Sequence, residues 1–220
     1  GQDFCPRVDG GQLRLHVRVP SGTRLETTEE RFAAIENKIR EIIPPGKLEN
    51  ILDNIGLPVL PINMAYTDSA TVGSSDGEIL ISLSRARERG ETWEYARRLR
   101  QELPAAFPDT QFFFRSADMV SQILNFGIPA PINIQVAGRN REANLRLAKQ
   151  IERRVAAIPG VVDARLHQIT DLPELNIEVD RVRAGRVGLT QREVASNTLV
   201  SLSSSGQVSP NYWLNPATGV

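Results

Sequence analysis

The 220 residues carry 26 Lys and Arg against 26 Asp and Glu, so the chain is formally neutral and has no overall field steering it to nucleic acid or anionic lipid. With 40% hydrophobic and 24% charged residues it falls in the globular range, and a chain of this length buries roughly 70% of its unfolded surface. The single cysteine, Cys5, excludes an intramolecular disulfide. No apolar run approaches the ~20 residues that cross a bilayer, and the first residues lack the charged start and apolar stretch of a signal peptide, which by itself suggests a cytosolic protein.

Residues 12 to 19 alternate strictly, with Leu13, Leu15, Val17 and Val19 on one face and Arg14, His16 and Arg18 on the other, the pattern of a half-buried strand. Pro20, Ser21 and Gly22 turn the chain. Thr27 with Glu30 reads as a capping box, and Phe32, Ile35, Ile39 and Ile42 recur at helical spacing until Pro44-Pro45-Gly46. A short strand is expected near 48 to 55.

The stretch from Leu57 to Ser75 is long for a structureless loop inside a compact domain, and such loops are commonly functional or disordered. Met64 and Tyr66 within it are soft and amphipathic groups that suit adaptable apolar ligands; a contact to a neighbouring segment explains them equally well. A second clear strand covers 78 to 83. A helix from about 91 carries Ala96, Leu99 and Leu103 on one face, and Pro104 is expected to end it. The arginines 85, 87, 89, 97, 98 and 100 are interleaved with Glu88, Glu91, Glu94 and Glu102, as on a solvated face with helix ion pairs.

Thr110 to Arg115 makes a fourth strand. Aromatic residues are only 5% of the chain, which makes the run Phe112, Phe113, Phe114 informative: Phe112 and Phe114 share one face and Phe113 takes the other. The order to this point is βαββαβ, the ferredoxin-like split unit.

The pattern then restarts. Ile132, Ile134 and Val136 alternate with Asn133 and Gln135; a helix capped by Asn140 carries Leu147, Ile151, Val155 and Ile158; strands are expected near 161 to 167 and at Leu175, Ile177 and Val179; and Thr190 with Glu193 opens a further capped helix. The helix exits at 43 to 46, 106 to 109 and 157 to 160 look alike, as an internal repeat leaves them. No closing strand of the second repeat follows, so the chain reads as an excised piece of something larger, since an open sheet edge is a liability.

Catalytic constellations are weak. His16 and His167 fall in expected strands and read as surface or rim residues, no Cys/His/carboxylate spacing suggests a metal site, and there is no phosphate loop or nucleophile elbow. No catalytic residue, metal or cofactor is expected. A stand-alone tandem ferredoxin-like module that binds an effector remains open, while an acylphosphatase-like hydrolase needs an arginine and an asparagine over a phosphate cradle, which is not found.

The opening Gly1-Gln2-Asp3-Phe4-Cys5-Pro6-Arg7-Val8-Asp9-Gly10-Gly11, then Leu15-His16-Val17-Arg18-Val19-Pro20-Ser21-Gly22-Thr23-Arg24, resembles the segment after the seventh transmembrane helix of resistance-nodulation-division (RND) efflux pumps, in the hydrophobe/amphiphile branch. Asp171-Leu172-Pro173-Glu174-Leu175-Asn176-Ile177-Glu178-Val179-Asp180 and Ala184-Gly185-Arg186-Val187-Gly188-Leu189-Thr190 are similar to a second family stretch. The resemblance covers essentially the whole chain. It implies an α+β fold: residues 1–125 as a ferredoxin-like first porter subdomain of the second large periplasmic loop, 126–172 as an incomplete second βαβ porter unit, and 173–220 as the start of a docking subdomain.

It further implies a non-enzymatic, proton-driven exporter of amphiphilic or hydrophobic small molecules, lying on the periplasmic side of a bacterial inner membrane. The full pump would be a homotrimer working with a periplasmic adaptor and an outer-membrane channel, with no nucleic-acid partner. By resemblance, Phe112 and Phe114 match aromatic positions lining a drug pocket, Arg165 matches a pocket-rim arginine, and 57 to 75, with Met64 and Tyr66, takes the place of a switch loop. Phe112 or Phe114 is expected to point away from the helices, with Arg165 opposite. Two departures stand out: the loop is longer and poorer in glycine and phenylalanine than in the best-known drug pumps, and Cys5 stands where an aromatic or aliphatic residue is usual.

Overall fold

A computed structural model of the chain describes residues 9–56, 73–85, 88, 90–115, 117, 130–174 and 176–203. Met64, Tyr66 and most of the expected switch loop lie outside the described residues. The chain divides into two compact units, one of Gly1–Leu57 with Thr67–Pro173, the other of Pro58–Tyr66 with Glu174–Val220.

In the first unit, strand β1 (Gln12–Arg18) leads to helix α1 (Leu25–Ile42), strands β2 (Leu48–Ile55) and β3 (Asp76–Leu83), helix α2 (Glu91–Ala106), strand β4 (Gln111–Arg115) and helix α3 (Arg141–Ala156). The four strands form one antiparallel sheet in the order β2-β3-β1-β4, so the two βαβ halves interleave as the sequence order βαββαβ requires. Leu13, Leu15, Val17, Ile79 and Ile81 on one sheet face meet Phe32, Ile35 and Ile39 of α1 and Ala96, Leu99 and Leu103 of α2 in a single core. Burying such side chains contributes about 1.5–3 kcal/mol each. Gly77 is required where α1 crosses the sheet, because a Cβ there would stand 2.7 Å from Phe32 Cζ and 2.8 Å from the Asn54 carbonyl oxygen.

Thr27 and Glu30 do not cap α1; its N-cap is Arg24, three residues earlier, and the Thr28 hydroxyl instead donates to the Arg24 carbonyl at 3.0 Å. Pro104 does not end α2 but sits in its last turn, which closes through Phe107 N–H on the Leu103 carbonyl at 2.8 Å while fully buried Leu103 anchors it. Asn140 caps α3 as expected, its side-chain oxygen accepting from Ala143 N–H at 2.9 Å.

Residues 132–136 and 161–167 are not strands, although their alternation suggests it. A strand is held by ladder hydrogen bonds to a neighbour, and no strand pairs with either segment among the described residues. Ile132 and Ile134 accordingly remain 69% and 54% exposed.

In the second unit, helix α4 (Arg181–Arg186) is capped by Asp180, whose carboxylate accepts from the N–H groups of Val182 and Arg183. Helix α5 (Gln191–Ser203) opens on the expected box: Thr190 N–H donates to Glu193 Oε2 at 2.7 Å, and Glu193 N–H donates back to Thr190 Oγ1 at 3.2 Å. The expected strand around Ile177 and Val179 is absent, and Leu175 lies outside the described residues.

Candidate functional site

The register of β4 on β1 decides where the aromatic run points. Phe114 lies opposite Leu15 and Phe112 opposite Val17, so both rings face the helices and pack against the core. This corrects the expectation that one of them turns away from the helices. Phe113 lies opposite His16 and takes the other face. The His16 ring stacks on it at 4.3 Å between centroids, and the Arg165 guanidinium lies 3.6 Å from the same centroid. Two groups so close require opposite faces of the ring, which gives a three-layer stack. Arg165 thus meets the aromatic run, but at Phe113, and its Nη1 donates to the Asp163 carbonyl at 3.2 Å.

The sheet face around that stack is buried and ionic. Arg14 holds Glu78 Oε2 through Nε and Nη2 at 2.9 and 2.7 Å, and Arg115 Nη1 reaches Glu78 Oε1 at 2.6 Å. His16 Nε2 sits 2.5 Å from Asp76 Oδ1, while Arg18 reaches both Asp76 oxygens at 3.3 Å. Burial pushes the Glu78 carboxyl up, but the side chains of His16, Arg115 and Arg14 outweigh it and hold the group at about 2. Asp76 is lowered in the same way, His16 and Arg18 overcoming its burial. His167 is pushed down by burial, then by Arg165 and Arg18. His16 is fully buried, which corrects the reading of it as a surface residue, and the strand is covered on both faces rather than one. The available signal was charge complementarity: Asp76 and Glu78 on β3 answer Arg14, His16 and Arg18 on β1.

Beside β4, also within the first unit, lies a cavity of about 920 Å³. Leu13, Ile132, Ile134, Val136, Ile151 and Val155 form apolar wall, with Trp93 from α2 and Phe114 from β4. Its polar groups include Asp9, Arg100, Glu152, Asp163, Arg165 and His167. Asp9 is occupied by α2: it accepts from Gly90 N–H at 2.9 Å and from the Thr92 hydroxyl. Gly90 has φ of +95°, a left-handed conformation that glycine takes without steric cost. Arg100 stacks 4.6 Å from the Phe114 centroid and pairs with Asp163. Among the expected site residues, the structure therefore brings Phe114 and Arg165 to this cavity and leaves Phe112 in the core, tilted against Phe107 at 6.3 Å. Trp93 and Arg100 were not anticipated as site residues. Their spacing with Ala96 on α2 was the signal, since positions 93, 96 and 100 share a helical face.

The comparisons with known proteins bear on this arrangement. Residues 1–210 match the AcrB/AcrD/AcrF family. The chain belongs to that family. Its membership makes it part of the RND transporters rather than of an enzyme family. This AcrB/AcrD/AcrF chain is 23% identical over 203 residues to the cation efflux system protein CzcA of Alcaligenes sp. (strain CT14), covering 88% of the chain and 18% of that protein. It is 23% identical over 214 residues to the nickel and cobalt resistance protein CnrA of Cupriavidus metallidurans (strain ATCC 43123 / DSM 2839 / NBRC 102507 / CH34), covering 94% of the chain and 19% of that protein. A crystal structure of a heavy metal efflux pump superposes with a TM-score of 0.69 at 25% identity, over 90% of this chain and 20% of that one. The chain thus spans about a fifth of the relatives it matches, and the α+β fold with its four-stranded antiparallel sheet is that of RND pump structures. Among the described residues no helix is long and apolar enough to cross a membrane.

Proposed function

We propose that this chain is porter-region sequence of a proton-driven RND exporter and that its cavity forms part of a path for amphiphilic or hydrophobic small molecules. The observation that carries the reading is the cavity itself: about 920 Å³, with an apolar wall, two aromatic rings and ionisable groups of both signs. Such a lining gives affinity by burying apolar surface without demanding one ligand shape, while a few polar groups orient the ligand. Phe114 and Arg165 are assigned to substrate contact here, and Met64 and Tyr66 to the loop that separates binding regions.

In the same reading residues 1–125 form one porter subdomain, 126–172 the first part of the next, and 173–220 the beginning of a docking subdomain. The complete pump is a homotrimer in the inner membrane, with this region on the periplasmic side, working with an adaptor and an outer-membrane channel.

A second reading, export of metal cations, is favoured by the relatives, which are named for cation, nickel and cobalt efflux. The two are separated by expressing the complete pump in a host stripped of its own exporters and measuring tolerance to bile salts and cationic dyes against tolerance to zinc, cobalt and nickel salts. The first reading expects protection from amphiphiles, lost when Ile134→Trp fills the cavity while expression is unchanged. Protection from the metal salts alone would replace it with the second.

A further inference from the structure

The Arg100–Asp163 pair on the cavity wall is neutral in sum yet one-sided in hydrogen bonding. Asp163 is 13% exposed and its oxygens are occupied: Oδ1 accepts from Arg100 Nε at 3.0 Å, and Oδ2 accepts from Arg100 Nε at 3.1 Å, Arg100 Nη2 at 2.8 Å and Phe114 N–H at 3.2 Å. Arg100 is 31% exposed, and its Nη1 takes part in none of these bonds. A guanidinium carries five N–H donors and no acceptor. The pair therefore keeps donors in reserve on Arg100, while Asp163 Oδ2 is filled and Oδ1 already shares the Arg100 Nε–H. The Phe114 ring beneath the guanidinium fixes it in place, and Trp93 adds an aromatic surface on the same helix.

We propose that Arg100, held over Phe114 by Asp163, is the headgroup selector of this cavity, and that the ligands it admits are amphiphiles with an anionic or acceptor-rich head, such as a carboxylate, sulfonate or phosphate ester. This rests on the reading of the cavity as a small-molecule site. Asp163 is a positioning residue: its φ of +58° turns the chain so that its carboxylate meets both the guanidinium and the edge of β4. Its negative charge also tempers the attraction of Arg100 for an anion, so the pair sets a preference rather than an irreversible trap.

The test uses the 220-residue chain with Trp213→Phe, which leaves Trp93 as the single tryptophan of the two in the sequence. Quenching of Trp93 is titrated with laurate, dodecyltrimethylammonium and dodecyl maltoside below their micelle-forming concentrations, with circular dichroism checking each variant's fold. Laurate is expected to bind more tightly than the cation of equal chain length. Arg100→Gln should weaken laurate about tenfold, the scale of a lost hydrogen bond to a charged group, and strengthen the cation. Arg100→Lys should keep the laurate preference. Asp163→Asn, which preserves the left-handed conformation, should tighten laurate and weaken the cation. Should Arg100→Gln not fold, the opposite movement of the two charged probes in Asp163→Asn decides the matter. Equal weakening of all three probes in the variants, or no headgroup preference in the parent, overturns the selector and leaves the cavity standing. Absence of quenching by any probe overturns both.

Discussion

The two faces of the four-stranded sheet are held by opposite chemistry, and the outer one is buried only around β1, since Leu52 and Leu80 further along it stay 57% and 37% exposed. On one, Leu15, Val17, Ile79 and Ile81 meet two helices in an apolar core. On the other, one residue along each strand, His16, Asp76 and Glu78 are as inaccessible, yet they are held by ion pairs, hydrogen bonds and a ring stack. The apolar face gains from water release and does not titrate. The ionic face has overcome a desolvation cost with fixed partners, so its contribution depends on every partner keeping its charge.

The largest break in this comparison is Glu78→Ala. It removes the carboxylate that both Arg14 and Arg115 hold in a buried site, and removing one partner of such a pair costs about 3–5 kcal/mol. The same change should flatten the acid limb of stability. Glu78 is held at about 2 in the folded chain against an ordinary 4.5, so its stabilisation is present above 4.5 and is lost as pH falls toward 2. Urea unfolding at pH 7, 4 and 3 measures both effects; a variant that loses less than 1 kcal/mol at pH 7 would mean that this face contributes little.

On the apolar face, Leu15→Ala sharpens the contrast. It removes a fully buried side chain and should cost about 2–4 kcal/mol through lost transfer energy and a cavity. Because no charge is involved, the loss should be the same at pH 7 and pH 4. A pH-dependent loss would show that the two faces are coupled through the strand.

Much of the sheet was legible because its signals are periodic: alternation in 12–19 and 78–83, helical spacing through Ile35, Ile39 and Leu99, and the split βαββαβ order. What covers a face is not periodic. Alternation told that Phe112 and Phe114 share a side, but only their pairing with Val17 and Leu15 told which side, and scarcity of aromatics was no guide to exposure. Arg14, His16 and Arg18 looked like a wet face for the same reason, since their acidic partners lie some sixty residues away in sequence. At Ile132 and Ile134 the alternation was real, but a strand is a property of a pair. The cavity was legible only in part: Phe114 and Arg165 entered through resemblance, and helical spacing joins Trp93 to Arg100, whereas Asp163 meets them from a segment that no local pattern ties to that helix.

The smallest expected effect concerns the ionisable intruder on the helix-facing side of the sheet. Asp53 lies opposite Ile79 on edge strand β2, between Ile51 and Ile55, which pack against the core. Burial, and then the neighbouring Glu36, raise its carboxyl from 3.8 to about 7, with Arg40 only partly opposing. The sign is the reverse of that at Glu78: the folded chain holds this proton more tightly than the unfolded one, so stability is greatest below 3.8 and declines as pH rises toward 7. Asp53→Asn keeps the shape without the charge. It should leave stability below pH 3.8 nearly unchanged and raise it progressively above that, to about 1 kcal/mol at pH 8, a value reduced for the screening that a partly exposed edge position receives. Thermal melts of the two proteins at pH 5, 6.5 and 8 measure the difference. Curves that stay parallel across this range would show that Asp53 is ionised without penalty, and that the apolar face ends before β2 rather than including it.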